Sequence, residues 1–457
     1  MDFVKEYAES GITRLHMPGH KGQPLLGPEP LDLTEISGAD SLYEADGIIA
    51  QSEQNAAKLF GAAHTFYSAE GSSLCIRAML RIAAQLSGRE HPVILAARNV
   101  HRSFVYACAL LGLKAEWIFP AGGGDSLCSC PVLPAQLQSR LERFRESGRE
   151  MPAAVYLTTP DYLGGQQPVA ELATVCKKFG VPLLIDNAHG AYLKFLPDAK
   201  GQTRHPMDCG ASMCCDSAHK TLPVLTGGAY LHLSAGLSEN AAVIARGAMA
   251  LFGSTSPSYL ILQSLDRCNA LLADDYSVRL AECAERVAQL RGELTRRGCA
   301  VLQTEPLKLV LDGRETCGGG FAVAQRLKEF RVECEFCDRD FAVLMFSPQN
   351  TRRDYERVAA AFAEPLAPRK TPQEPFPGIL PLPAAVPIRR AVLAPQETVL
   401  LEQAQGRVCA APLVACPPAI PIAVSGEVLT KNALCLMRYY GISSIAVVRE
   451  TLWKEER

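Results

Sequence analysis

An α/β fold built on a mainly parallel sheet is what this chain predicts, and three observations carry the expectation. From about Gln51 to Leu233, strand-like runs alternate with helical segments, the pattern of a sheet covered on both faces. The runs are short and continuously apolar, as in strands buried on both sides. At 457 residues the chain also exceeds one ordinary core, so two or three packed units are expected.

Strands are predicted at Pro92–Ala97, Ala115–Phe119, Ala153–Thr158, Pro182–Asp186, Ala211–Cys215 and Gly228–Leu233, with helices between them such as Ser72–Leu86 and Val169–Phe179. Leu280, Ala284, Val287 and Leu294 recur at helical spacing within Tyr276–Arg297. Beyond that helix the pattern becomes a smaller α+β unit. Its strands fall at Leu307–Leu311 and Val343–Phe346, and its helices at Phe321–Phe330 and Arg353–Ala363. Pro365–Pro387 holds eight prolines and reads as an extended linker or strap. The expected organisation is an amino-terminal arm (1–50), a large domain (51–275), a small α+β domain (276–364), the linker (365–387) and a carboxy-terminal α+β appendage (388–457) ending in a charged tail.

Forty-six basic against 48 acidic side chains leave a formal charge of -2, which directs the protein neither to nucleic acid nor to an anionic membrane. Met1–Ser10 lacks an apolar run of signal-peptide length, and no later stretch approaches the ~18 apolar residues of a membrane span. A soluble, cytoplasmic protein is expected. Its 17 cysteines are then reduced. Cys128/Cys130, Cys214/Cys215 and Cys334/Cys337 lack a second pair at zinc-site spacing, so no metal is expected.

The chemistry concentrates in Leu183-Leu184-Ile185-Asp186-Asn187-Ala188-His189-Gly190 and Asp216-Ser217-Ala218-His219-Lys220-Thr221. A strand ending in Asp186 delivers a carboxylate to the sheet edge where open α/β folds bind ligands. Pyridoxal phosphate (PLP) needs such a group, because a carboxylate facing its pyridine nitrogen keeps the ring an electron sink. Ala188 is small enough for the ring to lie against the chain. Lys220 stands among small and hydroxyl residues, a setting able to hold the amine in an apolar site, where desolvation favours the neutral, imine-forming nucleophile. A lysine after a strand is ordinarily a solvated surface residue; Asp186 and the Ser-x-His-Lys context reverse that reading.

A phosphate requires a cradle. Glu70-Gly71-Ser72-Ser73 precedes an apolar helix whose N-terminus offers free N–H groups. A plain N-cap serine is the bland alternative. Ser217 and His219 are further phosphate donors. His101, in Arg98-Asn99-Val100-His101-Arg102-Ser103, can stack on the cofactor ring, or else be a solvated histidine or a helix cap.

Together these segments resemble the Orn/Lys/Arg decarboxylase family, the PLP-dependent decarboxylases of fold type I. The resemblance includes His16-Met17-Pro18-Gly19-His20-Lys21-Gly22, Arg98–His101, Asp186-Asn187-Ala188-His189-Gly190-Ala191, Ser217-Ala218-His219-Lys220-Thr221-Leu222 and Ser254-Thr255-Ser256-Pro257-Ser258-Tyr259. Pro417-Pro418-Ala419-Ile420-Pro421 with Gly426-Glu427 is similar to the family's carboxy-terminal domain. The resemblance implies an aspartate-aminotransferase-like large domain and a homodimer with active sites at the interface. It also implies the shorter, biosynthetic type without an amino-terminal wing, acting in polyamine synthesis. By that likeness Lys220 carries the cofactor as a Schiff base, Asp186 pairs with the ring nitrogen and His101 stacks. Gly71, Ser72, Ser73, Ser217 and His219 surround the phosphate, Ala188 and His189 line the cofactor, and Ser256 reaches the neighbouring subunit's phosphate.

Three positions depart from the family pattern: Glu70 where Asn is usual, Asp161 where Thr is usual, and Gly227 where Gln is common. They bear on substrate choice. The implied reaction is α-decarboxylation of arginine, lysine or ornithine, with Lys220 or His219 returning a proton to Cα. A basic substrate needs a carboxylate at the far end of the pocket, and Asp40, Glu44, Asp46, Asp161, Glu335 and Asp338 form the pool, each otherwise a solvated surface group. Two alternatives stay open: another fold-type-I reaction (transamination, desulfuration or Cα–Cβ cleavage), or a catalytically impaired relative.

Overall fold

The computed structural model describes residues 2–364, 366–370, 374–411 and 418–449. The expected Pro365, Pro417 and charged tail (450–457) lie outside them. The first seven strands are β1 (His64–Ser68), β2 (Val93–Ala97), β3 (Lys114–Ile118), β4 (Ala154–Thr158), β5 (Leu183–Asp186), β6 (Met213–Asp216) and β7 (Ala229–Leu233). All six expected strands of this region form, shifted at their ends by one or two residues. β1 is the one that went unpredicted.

The chain divides into two compact units. The first comprises Met1–Glu90, Ala153–Tyr156 and Val169–Val278. Its strands follow the order β1-β7-β6-β5. β5 and β6 are parallel, whereas β7 is antiparallel to both β6 and β1, so the sheet is mixed. Every residue of β5, β6 and β7 is buried, which explains their mostly apolar character. The register places Asp186 opposite Cys215 and Asp216 opposite Tyr230, so both aspartates emerge at strand ends.

Helix Gly71–Ser87 packs Leu74, Ile76, Met79, Leu80 and Ile82 into this unit's core and stops at Gly88, whose φ of 62° suits a left-handed cap. One short helix, Ala218–Thr221, follows β6 and carries the Ser-x-His-Lys segment.

The second unit comprises His91–Pro152, Leu157–Pro168 and Arg279–Arg457. In it β2 and β3 pair in parallel. β8 (Lys308–Asp312), β9 (Phe336–Cys337) and β10 (Phe341–Met345) form an antiparallel sheet in the order β8-β10-β9, and helices Gly319–Glu329 and Arg352–Ala361 fall where expected. β11 (Gln396–Leu400) pairs with β12 (Ser444–Val448), with helix Lys431–Tyr439 between them in sequence. One cluster of buried side chains, including Tyr162, Val310, Val343, Ile379, Ile422, Leu434 and Val447, joins this unit's segments. No helix among the described residues is long and apolar enough to cross a membrane.

Candidate active site

Asp186 closes β5 and is only 3% exposed. Its carboxylate accepts hydrogen bonds from the Tyr156 hydroxyl (3.2 Å), the Ala188 amide (3.2 Å) and the Cys215 thiol (3.7 Å). Burial pushes its pKa up; the positive charge of Lys220 is the largest opposing influence, followed by the Ala188 amide. A buried carboxylate in this position is ionised only in the company of a cation. Lys220 supplies one in the chain, and a pyridinium nitrogen is the complementary partner.

Lys220 belongs to the one-turn helix after β6. The expected apolar setting is not what the structure shows: Ala218 and Thr221 turn inward and Lys220 is exposed. Four residues make a single turn, so one face is buried and the next residue round must point away from it. What holds the amine is His189, whose Nε2 lies 3.0 Å from Nζ.

The expected helix opens at Gly71. Gly71 has φ of 71°, and a Cβ built on it would meet nothing within 4 Å, leaving open space at the start of helix Gly71–Ser87. The Ser217 hydroxyl donates to the Ser72 hydroxyl at 2.7 Å, bringing two segments distant in sequence to one point, with Ser73 in the same turn. Gly71 differs from expectation in one respect: its own N–H is donated to the Gly227 carbonyl at 2.7 Å, so the later amides of that turn are the ones left to face an anion. Ring Nδ1 of His219 is 3.0 Å from the Gly228 carbonyl, which anchors the imidazole to the loop before β7.

The departures at Glu70 and Gly227 are neighbours. A Cβ on Gly227 would stand 2.8 Å from the Ala69 carbonyl, and its φ is 101°, so glutamine does not fit here without a rearranged loop. Glu70 accepts the Ser254 amide, and Ser256 donates its amide to the Ser254 hydroxyl at 3.1 Å. The Ser254–Ser256 segment is thus tied to the residue that precedes the cradle.

Most of the other expected residues have hydrogen-bond partners of their own. His101 belongs to the second unit and caps helix Arg102–Leu111, its Nδ1 accepting the Ser103 amide at 3.1 Å. Asp40 caps helix Ile48–Phe60, accepting the amides of Gly47 and Ile49 at 2.9 Å each, and Glu44 takes the Ser41 hydroxyl. Asp161 is 4% exposed and accepts the Gly165 amide, while the Lys308 ammonium donates to its backbone carbonyl. Glu335 accepts the Tyr162 hydroxyl at 2.7 Å, and Asp338 takes the amides of Asp340 and Phe341 at 2.8 Å. Asp46 is exposed, as the bland reading expects. Sequence reading missed Tyr156 and Asp216. Asp216 offered the same signal as Asp186, an aspartate ending a buried strand, and Tyr156 offered none.

These residues fit PLP. The donor set brings together an amine, a buried carboxylate and a hydroxyl-lined helix N-terminus, matching an aldehyde, a ring nitrogen and a phosphate. Asn187 Oδ1 and Thr221 Oγ1, buried beside Asp186 and Lys220, have no hydrogen-bond partner within the described residues.

Comparison with known proteins agrees. An arginine decarboxylase of Bacillus subtilis (strain 168) is 28% identical over 461 residues, spanning 94% of this chain and 90% of that protein. An arginine decarboxylase of Halalkalibacterium halodurans is 27% identical over 467 residues, spanning 95% and 91%. Lysine decarboxylase A from Pseudomonas aeruginosa superimposes with a TM-score of 0.79 at 17% identity, covering 98% of this chain and 80% of that one, which shows the PLP fold-type-I architecture. Residues 2–351 match the family model for the Orn/Lys/Arg decarboxylase major domain and residues 378–446 the one for its C-terminal domain. The chain therefore belongs to the Orn/Lys/Arg decarboxylase family and is a PLP-dependent decarboxylase of basic amino acids.

Proposed function

We propose that the substrate is arginine and that the amine product, agmatine, enters polyamine synthesis. The observation that carries the site assignment is the grouping of Lys220, His189 and Asp186 at the ends of two adjacent parallel strands. The choice of arginine is supported by end-to-end similarity to proteins named arginine decarboxylase.

In this reading Lys220 would hold the cofactor's aldehyde carbon and Asp186 would pair with its ring nitrogen. Ala188, small and buried, would line the cofactor. Gly71, Ser72, Ser73, Ser217 and His219 surround the phosphate, joined by Ser256 of the neighbouring subunit. When bound, the cofactor supplies an electron sink for the pair released as the carboxylate departs. Asp186 sustains that sink by staying ionised opposite the ring nitrogen, a state its burial permits only with a cation beside it. Carbon dioxide leaves and Cα takes up a proton. Lys220 Nζ delivers it, and His189 Nε2, 3.0 Å away, is placed to restore it.

A homodimer with sites at its interface is part of the same proposal. Leu15, Leu25 and Leu26 in the amino-terminal arm are 89%, 82% and 91% exposed, apolar surface suited to a second copy. The cysteines of the described residues are free thiols, which suits the cytoplasm.

The test is incubation of the purified chain with arginine, lysine and ornithine separately, measuring carbon dioxide and the matching amine. Carbon dioxide and agmatine from arginine, well above the other two, is the expected result. Preferential turnover of lysine or ornithine would refute the arginine assignment, and an amino acid product that keeps its carboxyl would refute the reaction.

A further inference from the structure

Beneath the candidate site lies a buried polar cluster that no step of the reaction uses. Asp216, His205 and His232 are all fully buried. Nε2 of His205 and Nε2 of His232 donate to the same Asp216 oxygen, Oδ2, at 2.9 and 3.2 Å. The other oxygen, Oδ1, accepts the side-chain amide of Asn187 at 2.6 Å and the Cys214 thiol at 3.5 Å. The Thr65 hydroxyl bonds His232 Nδ1 at 2.8 Å, and the ring of Phe60 lies 4.4 Å from that of His232. Burial would push the Asp216 carboxyl up, but the charge and hydrogen bonds of His205 and His232 outweigh it and hold the group well below the ordinary carboxylate range. Four donors on one carboxylate leave nothing unsatisfied.

The placement matters more than the burial. Asp216 ends β6 and immediately precedes Ser217, which meets Ser72 in the cradle, and the helix that carries Lys220. Asn187 follows Asp186, and its backbone amide also donates to the Cys215 carbonyl at 3.0 Å. Through Asn187, Asp216 therefore braces the end of β5 against the end of β6, while His232 fastens the same carboxylate to β7 and Thr65 links His232 to β1.

We propose that Asp216 is a positioning residue for the decarboxylation: the strut from its carboxylate to Asn187 sets how Asp186 and Lys220 face one cofactor. This rests on the assignment of those two residues to PLP. A metal held by the same three side chains is the competing reading, and the geometry disfavours it, because both Nε2 atoms are directed at Asp216 as donors whereas a metal requires their lone pairs.

The test compares the full-length wild-type chain with Asp216→Asn, Asn187→Ala and the double variant, titrating each with PLP by visible absorbance and recording thermal unfolding and metal content. Asn187→Ala removes only the strut and leaves the histidine pair in place, so it remains informative if Asp216→Asn fails to fold. The expected result is PLP affinity weakened about tenfold or more in each folded single variant, as for a buried hydrogen bond left unmade, with the double variant no weaker than the worse single one. Cofactor affinity unchanged in folded Asn187→Ala, or single effects that multiply in the double variant, would overturn it. So would stoichiometric metal in the purified chain whose removal unfolds it. Failure of the wild-type chain to bind PLP would instead overturn the cofactor assignment itself, and this proposal with it.

Discussion

The amine of Lys220 and the imidazole of His189 meet at 3.0 Å, Nζ to Nε2, and His189 lies on the same turn that leaves Asp186. Amine, imidazole and carboxylate come from the ends of two neighbouring strands, and the proposed chemistry rests on that meeting. Lys220→Ala is expected to abolish borohydride-stable attachment of the cofactor and reduce carbon dioxide release to background. His189→Ala should keep that attachment and lower kcat by about a hundredfold, the usual reach of a proton-transfer group. Mass spectrometry of the reduced protein and a carbon dioxide assay separate the two outcomes; attachment surviving in Lys220→Ala would refute the role given to that amine.

Asp338 provides a pH-dependent stability. Burial is the main cause pushing its carboxyl up to about 6, against the amide hydrogen bonds of Phe341 and Asp340. Because the folded group binds its proton more tightly than the unfolded one, the protonated folded form is favoured. Its contribution therefore improves as pH falls through about 6 and levels off below the unfolded value of 3.8. Asp338→Asn keeps an acceptor for the two amides and removes the charge, so it should stabilise the protein at pH 7.5 by roughly 2 kcal/mol and have little effect near pH 4. Urea unfolding at the two pH values tests this, and equal effects at both would count against it.

Arg98 and Glu427 form a buried pair at 3.2 Å, with the guanidinium also donating to the carbonyls of Pro421 and Ile422 at 2.8 Å and lying over the Trp117 ring. Removing one partner leaves the other charge buried. Glu427→Ala is expected to cost about 3–5 kcal/mol, and Glu427→Gln distinctly less, because glutamine still accepts from the guanidinium. Denaturant midpoints of the two variants should differ clearly; matching midpoints would mean that the pair contributes little.

Gly227 is expected to resist the residue common in its family. With φ of 101° and the Ala69 carbonyl 2.8 Å from a would-be Cβ, Gly227→Gln should destabilise the chain by about 1–3 kcal/mol. Displacement of the Gly71 amide from the Gly227 carbonyl should weaken phosphate binding as well. Thermal unfolding and PLP titration measure the two effects, and a variant as stable as wild type would contradict the argument.

The amino-acid sequence by itself determined the α/β class, β5 with its terminal aspartate, β6, and the helix at Gly71–Ser87. These are local properties: continuous apolar runs, a helix-start glycine and serines, and motifs contained in a few consecutive residues. β1 escaped notice because its polar and aromatic mixture, His64–Ser68, becomes a strand only by pairing with β7, far along the chain. The exposure of Lys220, the capping duty of Asp40, the internal hydrogen bonds of Asp161 and the convergence of His205, His232 and Asn187 on Asp216 were likewise decided by tertiary structure alone. Each depends on which side of a strand or turn meets which distant segment, and sequence spacing carries no record of that until packing brings the segments together.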